Sequence, residues 1–282
     1  MPTDMPTDLP TDLPTDLPTD LSAGPPGDLP TDGPAPSAAR RSGSPYQRWA
    51  RATLVSRHHE TGTARTLVLR APGWPGHLPG QHIDIRLTAD DGYRAARSYS
   101  LAAPGKGAHL EVGVQPVDGG EVSPYLADEL PVGADVEVRG PLGGWFVWRP
   151  ERATAPLLLL AGGSGVVPLM AMLRGHRTSG ARVPARLVYS VRDPAQVWYG
   201  AELAAFAPPV SVRLLHTRVA PPGDPRPAGR LASADLPGAD GPFAPGVPDV
   251  FVCGPTGFVE YAADLLLLAG HPAERIRTER FG

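Results

Sequence analysis

The sequence predicts two folded halves in series: a β-barrel or sandwich of short strands over residues 46–150, then a doubly wound parallel α/β sheet over residues 151–282. Three observations predict this. Residues 1–45 set themselves apart as low complexity: the tetrapeptide Met/Leu-Pro-Thr-Asp runs from Met1 to Asp20 and recurs at Leu29-Pro30-Thr31-Asp32. Proline every fourth residue removes backbone donors, and few apolar groups offset ordering entropy, so a disordered, extended acidic tail is expected there. From Tyr46 onward, short runs of alternating apolar and polar residues are separated by Pro-Gly turns, the pattern of half-buried strands. After Pro150 the rhythm becomes strand, helix, strand, helix, opening with the continuous apolar run Leu157-Leu158-Leu159-Leu160-Ala161 of a strand buried on both faces.

Composition narrows the function. Of 282 residues, 41% are apolar, enough for a substantial core. Seven Asp and no basic residue fall within residues 1–39, which leaves 22 of the 29 acidic residues against all 26 basic ones in the remainder. That balance is mild and unclustered, and it argues against a nucleic-acid partner. The tail reads as solubilising, with a docking arm for a basic partner as the alternative. Cys253 is the single cysteine, which excludes an internal disulfide, a four-cysteine iron–sulfur cluster and a cysteine zinc site. No apolar run approaches the ~18 residues of a membrane helix. No basic, then apolar leader opens the chain, so a cytoplasmic protein without a membrane partner is expected.

Taken in order, strands are expected over residues 49–55, 64–70, 82–87, around 97–100, 109–115 and 136–139. The alternation in His82-Ile83-Asp84-Ile85-Arg86-Leu87 is the cleanest of these. One helix, residues 119–130, interrupts them, with Ser123 as N-cap and Pro124 at the first helical position. Residues 148–154 read as a linker. In the second half, strands are expected at 157–161, 186–190, 211–216 and 249–253, and helices at 170–176, 201–207 and 258–269. The Pro- and Gly-rich residues 219–248 read as a long loop around a short strand, Gly229-Arg230-Leu231.

The chemistry concentrates in a few stretches. In Arg97-Ser98-Tyr99-Ser100, strand geometry puts Arg97 and Tyr99 on one face and Ser98 and Ser100 on the other. A guanidinium fork suits phosphate oxygens, a phenol ring suits a flat ring system, and a hydroxyl can reach a ring nitrogen. Gly119-Gly120 precedes a helix N-terminus, where free N–H groups can face an anion, although an ordinary hairpin loop reads the same way. Gly163-Ser164-Gly165-Val166-Val167-Pro168 follows a buried strand and opens a helix, the context of a dinucleotide loop, with Pro168 in place of the usual third glycine. Cys253-Gly254-Pro255, Ser190 to Asp193, and Thr217-Arg218 all stand at strand carboxyl ends, where a doubly wound sheet binds its ligand.

These motifs carry a resemblance. Arg97-x-Tyr99-Ser100, Gly119-Gly120-x-Val122-Ser123, Gly140-Pro141-x-Gly143, Gly163-x-Gly165-x-x-Pro168, Cys253-Gly254-Pro255 and Glu279-x-Phe281 follow one another as in the ferredoxin–NADP reductase superfamily, which the chain resembles over residues 46–282. The resemblance implies an antiparallel Greek-key β-barrel that binds FAD non-covalently, then a Rossmann-like NAD(P)-binding domain. It implies that Arg97 meets the FAD pyrophosphate, Tyr99 lies against the isoalloxazine, and Ser98 and Ser100 line it, with Ser100 near N5. Val112, Val114, Gly119, Gly120, Val122 and Ser123 would complete the FAD site, with Phe281 approaching from the other side. Gly163, Gly165, Pro168, Gly254 and Pro255 would hold the nicotinamide nucleotide. Ser100, Cys253 and Glu279 would flank the reacting rings, and no metal is implied.

The resemblance further implies a reductase that passes hydride from NAD(P)H to FAD and then electrons to a separate redox protein, such as a ferredoxin. Flavin or quinone reduction is an alternative. So is service as reductase partner of a molybdenum oxidoreductase, which Pro72-Gly73-Trp74-Pro75-Gly76-His77 with Gly80-Gln81-His82 resembles. An FAD-binding regulatory subunit without turnover is the reading from another class. Thr217, Arg218 and Arg230 suit a 2′-phosphate and favour NADPH, while Arg192-Asp193 leaves NADH open, because an Asp can hold the ribose hydroxyls.

Overall fold

The computed structural model describes residues 48–105 and 107–281, all within one compact unit. The tail expected over residues 1–45 lies outside the described residues, as do Lys106 and Gly282.

The first half is a six-stranded antiparallel sheet in the order β4-β3-β6-β1-β2-β5. Its strands are β1 Ala50–His59, β2 Arg65–Arg70, β3 His82–Thr88, β4 Arg94–Ser100, β5 His109–Val114 and β6 Asp135–Leu142. A single bridge, Leu101 to Val112, joins the end of β4 to β5 and closes the barrel. Alternation drives the fold: Ala52 and Leu54 on β1, Ile83 and Ile85 on β3, and Leu110, Val112 and Val114 on β5 all point inward and are fully buried. β1 runs four residues past its expected end because a bulge at Val55, between Leu54 and Ser56, turns the strand and lets pairing resume with β2.

The second half is a five-stranded parallel sheet in the order β11-β10-β7-β8-β9, formed by β7 Leu157–Gly162, β8 Ala185–Val191, β9 Val210–His216, β10 Asp249–Pro255 and β11 Ile276–Phe281. Three helices flank it: α1 Val166–Ser179, α2 Gly200–Ala204 and α3 Thr256–Leu268. Chain order reverses at β7, so β7 and β10 open a crevice at their carboxyl ends. Helix α1 covers one face, with Leu159, Ala161, Leu187, Phe251 and Met170 in one core, while Val250, Val252, Leu266 and Ile276 pack in a second core on the other face. Among the described residues, no helix is long and apolar enough to cross a membrane.

Several expectations need correction. The helix over residues 119–130 shrinks to one wide turn, Tyr125–Glu129, closed by the Leu130 N–H donating to Tyr125 O at 2.8 Å. Pro131 stops it, because the residue before a proline is pushed out of helical geometry. Ser123 is not its cap; its hydroxyl instead accepts from Val117 N–H at 3.1 Å and braces the preceding loop. Pro168 sits third in α1, within the turn whose N–H groups lack intrahelical partners. No strand forms at Gly229-Arg230-Leu231. There the Arg226 guanidinium takes the carbonyls of Gly229 and Arg230, at 3.2 and 2.7 Å, that a ladder would have used. β11 was not expected as a strand. Its sequence, Ile276-Arg277-Thr278-Glu279-Arg280-Phe281, lacks an apolar run, and it forms because β10 offers it a parallel edge.

Candidate functional site

Two clefts meet where the barrel faces the switch point of the parallel sheet. The first, about 490 Å³, is lined by Arg97, Ser98, Tyr99 and Ser100 of β4, by Gly113 of β5, by Gln115, Val117 and Gly120 to Ser123 of the loop after it, and by Ser164, Val167 and Phe281. The second, about 290 Å³, is lined by Gly162, Gly163 and Ser164, by Ser190, Val191 and Arg192, and by Gln196, Trp198, Thr217, Pro255, Phe258 and Phe281. Gln115, Ser164 and Phe281 belong to both, so the two clefts share a wall. A larger groove of about 930 Å³ continues from the first past Gly120 and Glu121 toward Tyr93 and Tyr125.

On β4 the four motif residues are put to different uses. Arg97 is exposed and, among the described residues, donates only to the carbonyl of its neighbour Ala96, at 2.8 Å. Ser98 donates to Asp84 Oδ1 at 2.6 Å, and Asp84 is held on its other oxygen by Arg139. Burial pushes the Asp84 carboxyl up, but the hydrogen bonds from Ser98 and Arg139 outweigh it and hold it below the usual range. Tyr99 is buried, and burial pushes its phenol up to about 12, against the opposing pull of Arg97. Its hydroxyl has no hydrogen-bond partner among the described residues. A buried unpaired hydroxyl is costly, and it marks a place prepared for a polar ligand group.

The glycines divide by what a side chain would meet. Gly119 and Gly163 sit at φ +70° and +53° with nothing within 4 Å of an added Cβ, so both leave backbone open to a ligand. Gly165 does not: a Cβ there would lie 2.2 Å from Cys253 O, and its role is to let α1 approach β10. Likewise Gly254 and Gly162 make room for the Phe258 ring, at 2.8 and 2.7 Å from an added Cβ.

Behind the shared wall, β11 pairs Glu279 with Cys253, and β3 pairs His82 with Ser100. Glu279 Oε1 lies 3.8 Å from His82 Nδ1. Cys253, Glu279, His82 and Ser100 therefore form one line from the parallel sheet to the barrel. Cys253 is 1% exposed and lines neither cleft; burial, then the Glu279 charge, push its thiol far from ionisation. Burial lowers the His82 pKa, against the opposing pull of Asp84, and burial raises Glu279 to about 7. A carboxyl with a folded pKa above its unfolded one binds extra protons when folded, so its contribution to stability is full below about 4.5 and lost as pH rises through about 7. Glu279→Gln is expected to flatten the wild-type fall in stability between those limits by at most about 3 kcal/mol, read from urea unfolding at several pH values. An unchanged slope would remove Glu279 from this role.

Val112 and Val114 are fully buried inside the barrel, behind Gly113, which alone of the three lines a cleft. Arg192 and Thr217 reach the second cleft, whereas Arg218 and Arg230 are exposed and do not line it. Asp193 turns back, its carboxylate accepting from Ala195 N–H at 2.9 Å. Sequence reasoning did not single out Gln115, Ser164, Trp198 or Phe258: Ser164 lies inside the glycine loop, Gln115 follows β5, and Trp198 and Phe258 reach the second cleft from separate segments, the loop after β8 and helix α3. His82 was noted in the sequence for another reason.

These residues suit a flavin dinucleotide. The first cleft offers an aromatic ring with an orphaned hydroxyl, an uncommitted guanidinium and an open glycine turn, and it is long enough to continue into the neighbouring groove. The second has the glycine turn and strand-end setting of a dinucleotide site.

Comparison with known proteins agrees. An oxidoreductase FAD-binding domain matches residues 51–147, and an oxidoreductase NAD-binding domain matches residues 159–264. The chain is 32% identical over 200 residues to the ferredoxin–NAD(P)(+) reductase component of the naphthalene 1,2-dioxygenase/salicylate 5-hydroxylase systems of a Ralstonia species, covering 68% of this chain and 58% of that one. It is 31% identical over 235 residues to the ferredoxin reductase component of 3-ketosteroid-9-alpha-monooxygenase of Mycobacterium tuberculosis, covering 79% of this chain and 62% of that one. The chain thus spans about three fifths of the length of these relatives. Its fold matches the FAD/NAD-binding domain of nitric oxide dioxygenase from Vibrio cholerae with a TM-score of 0.73, at 24% identity, over 83% of this chain and 98% of that one. The chain belongs to the ferredoxin–NADP reductase superfamily of FAD- and NAD(P)-binding oxidoreductases.

Proposed function

We propose that the protein is a reductase that takes electrons from NADPH onto FAD and delivers them to a separate redox protein. In this reading residues 46–150 hold FAD and residues 151–282 hold the coenzyme. The observation that supports it is the shared wall: Gln115, Ser164 and Phe281 border both clefts, so ligands in the two would lie next to each other. FAD, when bound, supplies the chemistry of accepting a hydride from nicotinamide and releasing electrons one or two at a time.

The chain's own residues bind, orient and shield. Arg97 is free to clamp a pyrophosphate, and the Gly119-Gly120 turn lets backbone approach it. Tyr99 would offer its ring to a flat ring system in the first cleft. Ser100 stands at the end of β4 with His82 and Glu279 behind it, a line of polar groups able to pass a proton away from the rings. Cys253, buried and neutral, lies beneath the clefts without lining either and leaves no thiolate near the rings. Phe281, at the end of β11, covers the opening between the clefts.

Preference for NADPH rests on the second cleft. Arg192 has no salt-bridge partner among the described residues, and Thr217 adds a hydroxyl beside it. Asp193 is committed to its own turn and is not turned toward a ribose. The names of the two curated relatives, both reductase components of oxygenase systems, support an acceptor that is a separate protein, of which a ferredoxin is the first candidate. A cytoplasmic setting belongs to the same reading and is supported by the free, buried Cys253.

The test pairs a variant with an acceptor assay. Arg192→Ala should raise the KM for NADPH by about 10–100-fold, the loss of about 1.5–3 kcal/mol from a charged hydrogen bond, and leave NADH nearly unchanged. Wild-type protein should reduce a ferredoxin with NADPH. Equal effects on both coenzymes would remove the NADPH assignment, and no electron transfer to any protein acceptor would leave a flavin or quinone reductase.

A further inference from the structure

We propose that Tyr199 is a positioning residue that references the nucleotide-binding loop to the barrel and so sets the distance between the two ring clefts. The proposal rests on the function read above. Among the described residues, Tyr199 is the one non-glycine residue with positive φ, at φ 57° and ψ 26°. A side chain with a Cβ keeps that conformation only when its surroundings over-determine it.

The surroundings here come from both halves. Glu60, in the turn between β1 and β2, accepts the Tyr199 amide at 2.9 Å on one carboxylate oxygen and the Thr66 hydroxyl at 2.8 Å on the other. The Thr66 hydroxyl in turn lies 3.4 Å from the Tyr199 hydroxyl. Across the ring, the Arg174 guanidinium sits 5.1 Å from the centroid. Arg174 of α1 is itself fixed by Glu202, 2.6 Å away, by Glu111 of β5 at 2.8 Å, and by the carbonyl of Ala102 at 3.0 Å. One arginine of the second half thus holds two groups of the barrel, and one carboxylate of the barrel holds the backbone of the second half.

What this grip controls is the residue before it. Trp198 is 2% exposed and lines the nucleotide cleft, at the end of the same loop as Arg192 and Gln196. It packs on Gly113 of the barrel so closely that a Cβ there would stand 2.9 Å from its ring. A loop that needed only to cover its own sheet would have no use for a strained backbone tied to the opposite half. Tied this way, the nucleotide loop moves with the barrel, and the distance between the clefts is fixed before either ligand arrives. Transfer between stacked rings is steep in that distance: a misplacement of about 1 Å can cost about a hundredfold in rate.

The test uses the full chain loaded with FAD and mixed anaerobically with NADPH in single turnover. Glu60→Ala should lower the saturating rate of flavin bleaching at least tenfold while the NADPH Kd stays within threefold. Glu60→Gln, which can still accept the Tyr199 amide and donate to Thr66, should restore the rate to within twofold of wild type. In hydrogen exchange without ligands, Glu60→Ala should speed exchange in residues 197–202 and leave the strands of both sheets protected. Tyr199→Gly, which suits the left-handed backbone but lacks the ring, should show the same loss of rate without loss of affinity if Glu60→Ala fails to fold. A Glu60→Ala protein with full FAD content and an unchanged saturating rate overturns the proposal, as does a rate loss that Glu60→Gln does not rescue. Wild-type protein that binds both ligands without bleaching would instead overturn the function on which the proposal rests.

Discussion

Gly165→Ala is expected to cost more stability than any other single-methyl addition in the nucleotide loop. The added carbon would stand 2.2 Å from Cys253 O, 2.4 Å from its carbonyl carbon and 2.6 Å from Gly254 N. All three are backbone atoms of β10, and none can rotate away. Relief requires α1 to lift from the sheet at the switch point, where Val166, Leu169 and Met170 are fully buried against it. Overpacking of this kind costs about 3 kcal/mol, the upper end of its usual range. For a folded unit of this size that lowers Tm by about 6–12 °C. Gly163→Ala, two residues earlier, meets nothing within 4 Å and pays only the left-handed penalty at φ +53°, about 1–2 kcal/mol. The two variants should therefore differ clearly in thermal unfolding, with Gly165→Ala the lower. Equal midpoints would show that the helix can yield at this point.

The second large effect is on ligand affinity and leaves stability alone. Arg97→Ala should weaken FAD binding by about 10–100-fold, the loss of charge-assisted hydrogen bonds worth about 1.5–3 kcal/mol. Arg97 is exposed, and among the described residues the only hydrogen bond it makes is to the carbonyl next to it, so removing it opens no cavity and strands no buried charge. Thermal unfolding of the protein without FAD should move by no more than about 0.5 kcal/mol, as for an ordinary surface change. Titration of FAD into both proteins, followed by flavin fluorescence, checks the affinity. Matching affinities would send the pyrophosphate elsewhere.

Both predictions depend on positions whose types were legible in the sequence but whose reasons were not. Gly163 and Gly165 look alike in the dinucleotide-loop pattern, yet the first is open and the second is pressed against β10, and only the docking of helix on sheet tells them apart. The alternation in β3 and the apolar run of β7 gave the two sheet types directly, because burial on one face or on two leaves different periods. β11 escaped notice because an edge strand with Arg277 and Arg280 on it needs no apolar pattern of its own. The helix expected at residues 119–130 is cut short: Pro124 and Ser123 are good start residues, but Pro131 follows too soon for a second turn. Arg192, Arg218 and Arg230 were indistinguishable as charges. Backbone pairing of Thr217 and Arg218 to Val191 and Arg192, at 2.8 and 2.9 Å, extends the ladder past β8 and β9, with Arg192 on the cleft and Arg218 outside it. Trp198 and Gln115 carried no motif at all; their place at the site comes from contact between distant segments.

In the proposed reductase, Tyr99 and Ser100 on the barrel and the Gly163 loop on the sheet bring two flat ligands together beside Gln115, Ser164 and Phe281, which border both clefts. Anaerobic mixing of the FAD-loaded protein with NADPH tests it most directly. The yellow absorbance should bleach in a single turnover, with a long-wavelength band from stacked rings preceding it. A protein that takes up both FAD and NADPH, yet shows neither the band nor the bleaching, would contradict it.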